Sequence, residues 1–138
     1  MPRRYVLDTN ILSDLLKNPA GRAAQKIASL SAGERDSLAT SIIVAAELRY
    51  GAAKSGSAIL AGRVEQLLAA VEVLPLEPRA DQHYGFIRSQ LEKAGTVIGG
   101  NDLLIAAHVL AIDAILVTDN VREFKRVKGL RVENWLRP

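Results

Sequence analysis

The chain has 138 residues, 49% of them hydrophobic and 24% charged, and no cysteine. Its length suits one globular domain covering residues 1–138 better than two, and the lack of cysteine excludes thiolate catalysis, cysteine-ligated zinc and iron–sulfur chemistry. Lys+Arg 18 against Asp+Glu 15 leaves a formal charge of +3, which favours an anionic polymer at the surface only mildly.

The opening MPRRYVLDTN reaches an aspartate after three apolar residues, too soon for a secretory signal. No apolar run approaches the roughly 20 residues of a membrane span, so the expected setting is the cytoplasm. Tyr5 to Leu7 is a short apolar segment ending at Asp8, with Ile11, Leu12, Leu15 and Leu16 beyond it, a pattern that predicts a buried strand feeding a helix. Asn18 to Gly21 breaks the chain before a second helix from Arg22 to Leu30, and Gly33 closes that unit. Ser37 to Thr40 is the second strand, and Ser41 is placed to cap a helix carrying Glu47. A linker at Lys54 to Ser57 leads into a helix whose Leu60, Val64, Leu67 and Leu68 share one face, giving an αα-hairpin.

Val71 to Leu74, followed by Pro75 and Pro78, is the third strand, and a helix runs from Arg79 to about Ala94. After Gly95, Gly99 and Gly100, Asn101 is the expected N-cap of a helix from Asp102 to Ala111. That helix is apolar nearly all round except for Asp102 and His108, so it should be deeply packed. Ala114 to Val117 is the fourth strand and runs into Thr118, Asp119 and Asn120; Arg131 to Trp135 is a short fifth. Alternation of strands and helices predicts a mostly parallel sheet covered on both faces.

In such folds ligands gather beyond the carboxyl ends of the strands. Asp8 follows the first strand, Glu47 lies on the helix after the second, Asp102 opens a buried helix and Asp119 follows the fourth strand. Each has an ordinary explanation alone: a turn, a solvated helix face, a helix-start charge. Together they are hard to reconcile with packing, because two unit charges 4 Å apart at an effective dielectric of about 20 repel by roughly 4 kcal/mol. A hard divalent cation such as Mg²⁺ relieves that repulsion, with Asp8 and Asp102 the expected ligands. Such an ion activates water and neutralises charge on a phosphoryl oxygen, while Glu47 or Asp119 holds the attacking water. Thr9, Asn10, Thr118 and Asn120 are placed to donate hydrogen bonds that fix the carboxylates.

The segments LDTNILS, AAELRYGA, GGNDLLIAAH and LVTDNVREFKRVKGLRVENW resemble the PIN-domain ribonucleases, specifically the VapC toxins of bacterial toxin–antitoxin systems, over essentially the whole chain. The resemblance implies an α/β/α sandwich with sheet order 3-2-1-4-5 and a Mg²⁺- or Mn²⁺-dependent endoribonuclease that stops translation by cutting structured RNA, tRNA or rRNA. It also implies a homodimer neutralised by a cognate VapB antitoxin, through which the assembly binds operator DNA. Asp8, Glu47 and Asp102 match the family's first three acids. Many relatives read Thr-x-Asp for the fourth; here Thr118-Asp119-Asn120 puts Asn120 in that place and Asp119 one residue early, so both stay in consideration.

From Arg122 to Arg137 the chain carries Arg122, Lys125, Arg126, Lys128, Arg131 and Arg137 against Glu123 and Glu133. Arg122, Lys125, Arg126 and Lys128 are the candidate RNA-backbone contacts, unless they form an ordinary solvated face with Arg122 paired to Glu123. Phe124 and Trp135 are expected to pack on the core. Leu48, Ala52, Ala53, Leu60 and Leu67 on the hairpin are candidates for dimer or antitoxin burial. His83 and His108 lack the spacing of a zinc hydrolase, and His108 is expected to be a hydrogen-bonded core or interface residue. A haloacid dehalogenase-type phosphatase would need an aspartate where Asn10 stands. The serious rivals are a non-catalytic RNA- or protein-binding module on a degenerate PIN fold and a DNA-directed PIN nuclease.

Overall fold

The computed structural model describes residues 3–138. Its sheet has five strands: β1 (Tyr5–Leu7), β2 (Leu38–Ser41), β3 (Glu72–Leu74), β4 (Ile115–Val117) and β5 (Arg131–Glu133). They lie in the order β3-β2-β1-β4-β5, every pair parallel, with Tyr5 opposite both Leu38 and Ile115. This is the order expected from the resemblance. The central strands are short and almost wholly apolar because helices cover both faces: Val6, Leu7, Ala39, Leu116 and Val117 are all buried.

The helices are α1 (Thr9–Lys17), α2 (Arg22–Ser29), α3 (Ala32–Asp36), α4 (Ile42–Ser55), α5 (Ala58–Ala70), α6 (Ala80–Ala94), α7 (Gly100–Ala111) and α8 (Val121–Phe124). α4 and α5 form the hairpin, turned by Gly56 at φ 69°, a left-handed conformation that glycine adopts without a Cβ penalty. An Arg49–Glu65 pair bridges its two helices. Of the hairpin residues considered for a partner, Leu48 and Ala52 belong to the core and Leu60 and Leu67 pack partly against it; Ala53 is exposed. Phe124 and Trp135 are buried as expected, the Trp135 ring meeting Tyr5 edge-on at 5.1 Å.

Two short helices escaped the sequence pattern. α3 is held by a capping box, in which the Ser31 hydroxyl accepts from the Glu34 N–H and the Glu34 carboxylate accepts from the Ser31 N–H. Ser31→Ala is expected to cost about 0.5–2 kcal/mol in a urea or thermal melt, the usual cost of a lost N-cap. α8 has four residues, too few to show a period.

The expected cap at Asn101 is corrected. Gly99 is the N-cap of α7, its carbonyl accepting from the Leu103 N–H, and Asn101 lies inside the first turn. With the helix beginning at Gly100, Asp102 takes the third helical position, beside the free N–H groups of the helix start.

Candidate active site

Asp8 occupies the junction between β1 and α1 and is 4% exposed. Its backbone N–H still belongs to the sheet, donating to the Val117 carbonyl at 2.9 Å. Its carboxylate caps α1, with Oδ1 accepting from the Thr9 N–H at 2.8 Å. Oδ2 accepts from the Thr118 hydroxyl at 2.7 Å and from the Asn10 amide at 3.4 Å. Asn10 also reaches Thr118 Oγ1 at 3.2 Å and accepts from the Asp119 N–H at 3.0 Å, tying the ends of β1 and β4 together. Thr9 faces the other way and donates its hydroxyl to Glu47 Oε1 on α4 at 2.8 Å.

The network continues through β4. Thr118 Oγ1 accepts from the Asn120 N–H at 3.0 Å, and the Asn120 amide donates to Glu123 Oε2 on α8. Glu123 Oε1 accepts from the Gly99 N–H at 3.0 Å. The open side of Gly99 faces both acids: a Cβ there would lie 3.7 Å from Asp102 Oδ2 and 4.0 Å from Glu123 Oε1. Hydrogen bonds therefore connect Glu47, Asp8 and Glu123 through Thr9, Thr118 and Asn120, and Asp102 lies beside Glu123 across Gly99.

Glu123 went unnoticed in the sequence, where it counted only as a foil to the basic residues around it. The available signal was its place three residues after Asn120, an N-cap-to-N3 spacing on a helix too short to be seen. It forms no ion pair with Arg122 among the described residues; the charge of Arg126 is a minor influence that lowers its carboxyl. Asp119 lies apart from the acids. Its Oδ1 accepts from the Asn134 amide at 3.0 Å and forms an ion pair with Arg137 Nε at 2.9 Å, so it fastens the C-terminal segment. These two contacts hold the Asp119 carboxyl below its usual range.

The electrostatics bear the mark of crowded negative charge. Burial pushes the Asp8 carboxyl up, and the charges of Glu47 and Glu123 add to this, against the opposing hydrogen bonds from Thr118 and Thr9. Asp102 is raised from 3.8 to about 7, first by burial, then by its hydrogen bond and repulsion with Glu123, then by Asp8 and Glu47. Burial alone would raise Glu123 too, but the Gly99 N–H, the Asn120 amide and a hydrogen bond from Asp102 hold it below its usual value. The proton therefore sits on Asp102 and points at Glu123.

Among the described residues no three His, Asp or Glu side chains are gathered tightly enough to close a metal shell as they stand. The donor set still suits a hard divalent ion: every side chain in the cluster offers oxygen, no histidine or sulfur is present, and the acids are held by neutral donors without a balancing lysine or arginine ion pair.

On the rim, Arg122, Lys125, Arg126 and Lys128 are all exposed, and Arg126 also donates to the Val97 carbonyl at 3.1 Å. Of the six basic residues in this stretch, Arg131 is paired with Asp113 and Arg137 with Asp119. The four candidates for RNA contact are thus the ones with no ion pair among the described residues.

A five-stranded parallel sheet in this order, with acids converging beyond the ends of β1 and β4, defines a PIN-type α/β/α domain, and the PIN domain family matches residues 5–130. The chain belongs to that family, and within it to the VapC ribonuclease branch. It is 37% identical over 132 residues to the ribonuclease VapC2 of Rickettsia felis, covering 95% of this chain and 97% of the relative. It is 35% identical over 137 residues to the tRNA(fMet)-specific endonuclease VapC of Shigella flexneri, covering 96% and 98%. The toxin chain in the structure of VapBC2 from Rickettsia felis, bound to a DNA fragment from its promoter, superposes with a TM-score of 0.82 at 34% identity, covering 95% and 98%.

Proposed function

We propose that this protein is a toxin endoribonuclease that hydrolyses phosphodiester bonds in structured RNA with the help of Mg²⁺ or Mn²⁺. The observation that carries the reading is the continuous network from Glu47 through Thr9, Asp8, Thr118 and Asn120 to Glu123, beside which Asp102 lies across Gly99. Asp8 and Asp102 would hold the ion, with Glu123 beside them. When bound, such an ion polarises water and offsets the charge that develops on the phosphoryl oxygens.

The chain's own groups supply the rest. Thr118 and, at longer range, Asn10 hold Asp8 Oδ2 and fix its rotamer, while Oδ1 accepts only from the Thr9 N–H and keeps a lone pair for a ligand. Thr9 holds only Oε1 of Glu47, so Oε2 is available to receive the proton of the attacking water as its oxygen bonds to phosphorus and the P–O bond breaks. Asp102 must give up its proton before it can serve as an anionic ligand. Asp119, held by Arg137 and Asn134, is left out of this chemistry.

The partners follow from the relatives. The Shigella flexneri enzyme is described as tRNA(fMet)-specific, and a tRNA is the substrate class we infer. The Rickettsia felis toxin is found with its antitoxin on promoter DNA, so a VapB-type antitoxin, a homodimeric toxin and operator binding through the antitoxin are the expected assembly. None of the described helices is long and apolar enough to cross a membrane, in keeping with action on cytoplasmic RNA.

The test is incubation of total cellular RNA with the protein in Mg²⁺, in Mn²⁺ and in EDTA, followed by mapping of the new ends. Cleavage at one or a few sites, abolished by EDTA, supports the reading; intact RNA in both metals would exclude it and favour a non-catalytic module. The rim makes a separate prediction. Lys125→Ala/Lys128→Ala is expected to weaken RNA binding and to flatten the slope of log affinity against log salt by roughly 1.4–1.8, without altering the cut site.

A further inference from the structure

His108 lies on α7, the helix that carries Asp102, and is 1% exposed. Its Nδ1 is 2.8 Å from the hydroxyl of Ser41, which caps α4, the helix that carries Glu47. Ser41 is wholly buried, and its Oγ already accepts from the Ile43 N–H at 3.1 Å. The hydroxyl hydrogen has no other acceptor in reach, so Ser41 donates to Nδ1 and the imidazole carries its proton on Nε2. Nε2 is buried without a hydrogen-bond partner, and of the charged groups around the ring Glu77 is the one whose charge favours its protonated form. Burial holds the ring neutral.

An aliphatic side chain here would remove the unpaired Nε2 but would leave the buried Ser41 hydroxyl without its acceptor. What the histidine supplies is a single bond between the cap of α4 and the body of α7. Asp102 stands six residues before His108, and Glu47 six residues after Ser41, each about 9 Å of helix rise from the contact. We propose that His108 is a positioning residue, which through Ser41 sets the separation of Asp102 and Glu47 and so the affinity of the site for a divalent ion. This rests on the reading of the acidic cluster as a metal site.

With only two histidines in the chain, the imidazole nitrogens are resolvable by ¹⁵N NMR on the intact protein. The expected spectrum has His108 Nδ1 unprotonated and Nε2 protonated; the opposite tautomer would overturn the proposal. The second readout is Mn²⁺ binding by calorimetry together with cleavage kinetics. His108→Leu is expected to weaken Mn²⁺ about tenfold and to lower kcat with KM for RNA unchanged. His108→Asn, which restores an acceptor for Ser41, is expected to recover most of the loss. Ser41→Ala is expected to weaken Mn²⁺ as well, and its combination with His108→Leu to be no worse than the stronger single change. Wild-type Mn²⁺ affinity in His108→Leu, equal loss in His108→Asn, or full additivity of the two losses would each overturn the proposal. Should wild type itself fail to bind Mn²⁺, or Asp102→Asn bind it unchanged, the reading of the acidic cluster falls instead. If either replacement of His108 fails to fold, Ser41→Ala against Ser41→Thr, which keeps the hydroxyl, decides in the same way: equal Mn²⁺ affinity in the two overturns the coupling.

Discussion

Asp8→Asn and Asp102→Asn are each expected to lower RNA cleavage by about 10²–10³-fold while leaving the protein folded, since either change removes a charged oxygen from the cluster that would hold the ion. The shape of the side chain is kept, so at Asp102 a loss of activity reports on charge, whereas at Asp8 the new NH₂ also faces the donors Thr9 N–H or Asn10 and disturbs their hydrogen bonds. The metal-free melts supply an independent check. Asp102 binds its proton more tightly in the folded protein, at about 7, than at its ordinary 3.8. Metal-free stability therefore falls as pH rises from about 4 to about 7, because the folded state must then either keep a proton the unfolded chain has released or accept crowded charge. The downward shift of Glu123 acts below about pH 4.5, where its stabilisation is lost as pH falls, and so leaves the decline towards pH 7 in place. Asp102→Asn removes the main titration, so its metal-free Tm should match wild type only at or below about pH 4 and exceed it increasingly up to about pH 7. Mg²⁺ should raise the wild-type Tm more at pH 7.5 than at pH 5, since binding must displace the proton. Cleavage that survives both substitutions would remove the acids from the mechanism.

The strands, the long helices and the hairpin were legible in the sequence because each rests on local pattern. Tyr5 to Leu7 and Ala114 to Val117 are apolar runs with polar stops, and the burial of α7 follows from its apolar girth. Asp8 and Asp102 stood out for the same reason, as charges bordering apolar segments. What the sequence hid depends on short elements and distant contacts. Glu123, the carboxylate we propose as the fourth of the site, rides on a four-residue helix, and its neighbours Gly99 and Asp102 lie more than twenty residues away. Asp119 follows β4, as the family's fourth acid does, and that position alone made it a catalytic candidate. Its actual direction is set by Arg137 and Asn134, on a C-terminal segment whose return to β4 no local pattern announces. The Asn101 cap failed for a smaller reason: Gly99 takes the extended cap conformation two residues sooner, and the helix starts at Gly100.

Glu123→Gln and Asp119→Asn therefore form a decisive pair. Glu123 accepts from Gly99, Asn120 and protonated Asp102 at once. An amide can satisfy one of these donors with its oxygen, but its NH₂ then meets another donor, so Glu123→Gln should disturb Asn120 or Asp102 as well as delete a charge. The expected result is a fall in cleavage of about 10²-fold and weaker Mg²⁺ dependence, the scale of losing an outer partner of a metal site. Asp119→Asn keeps an oxygen for Asn134 and loses only an exposed ion pair with Arg137. Such pairs contribute about 0–1 kcal/mol, so activity should stay close to wild type with at most a small drop in Tm. The reverse pattern, an inactive Asp119→Asn beside an active Glu123→Gln, would mean that Asp119 leaves Arg137 and swings into the cluster during turnover. In that case the Arg137 contact would be a resting latch, and Arg137→Ala should raise activity by freeing the acid. If Glu123 is the fourth carboxylate, Arg137→Ala should leave the rate where it was.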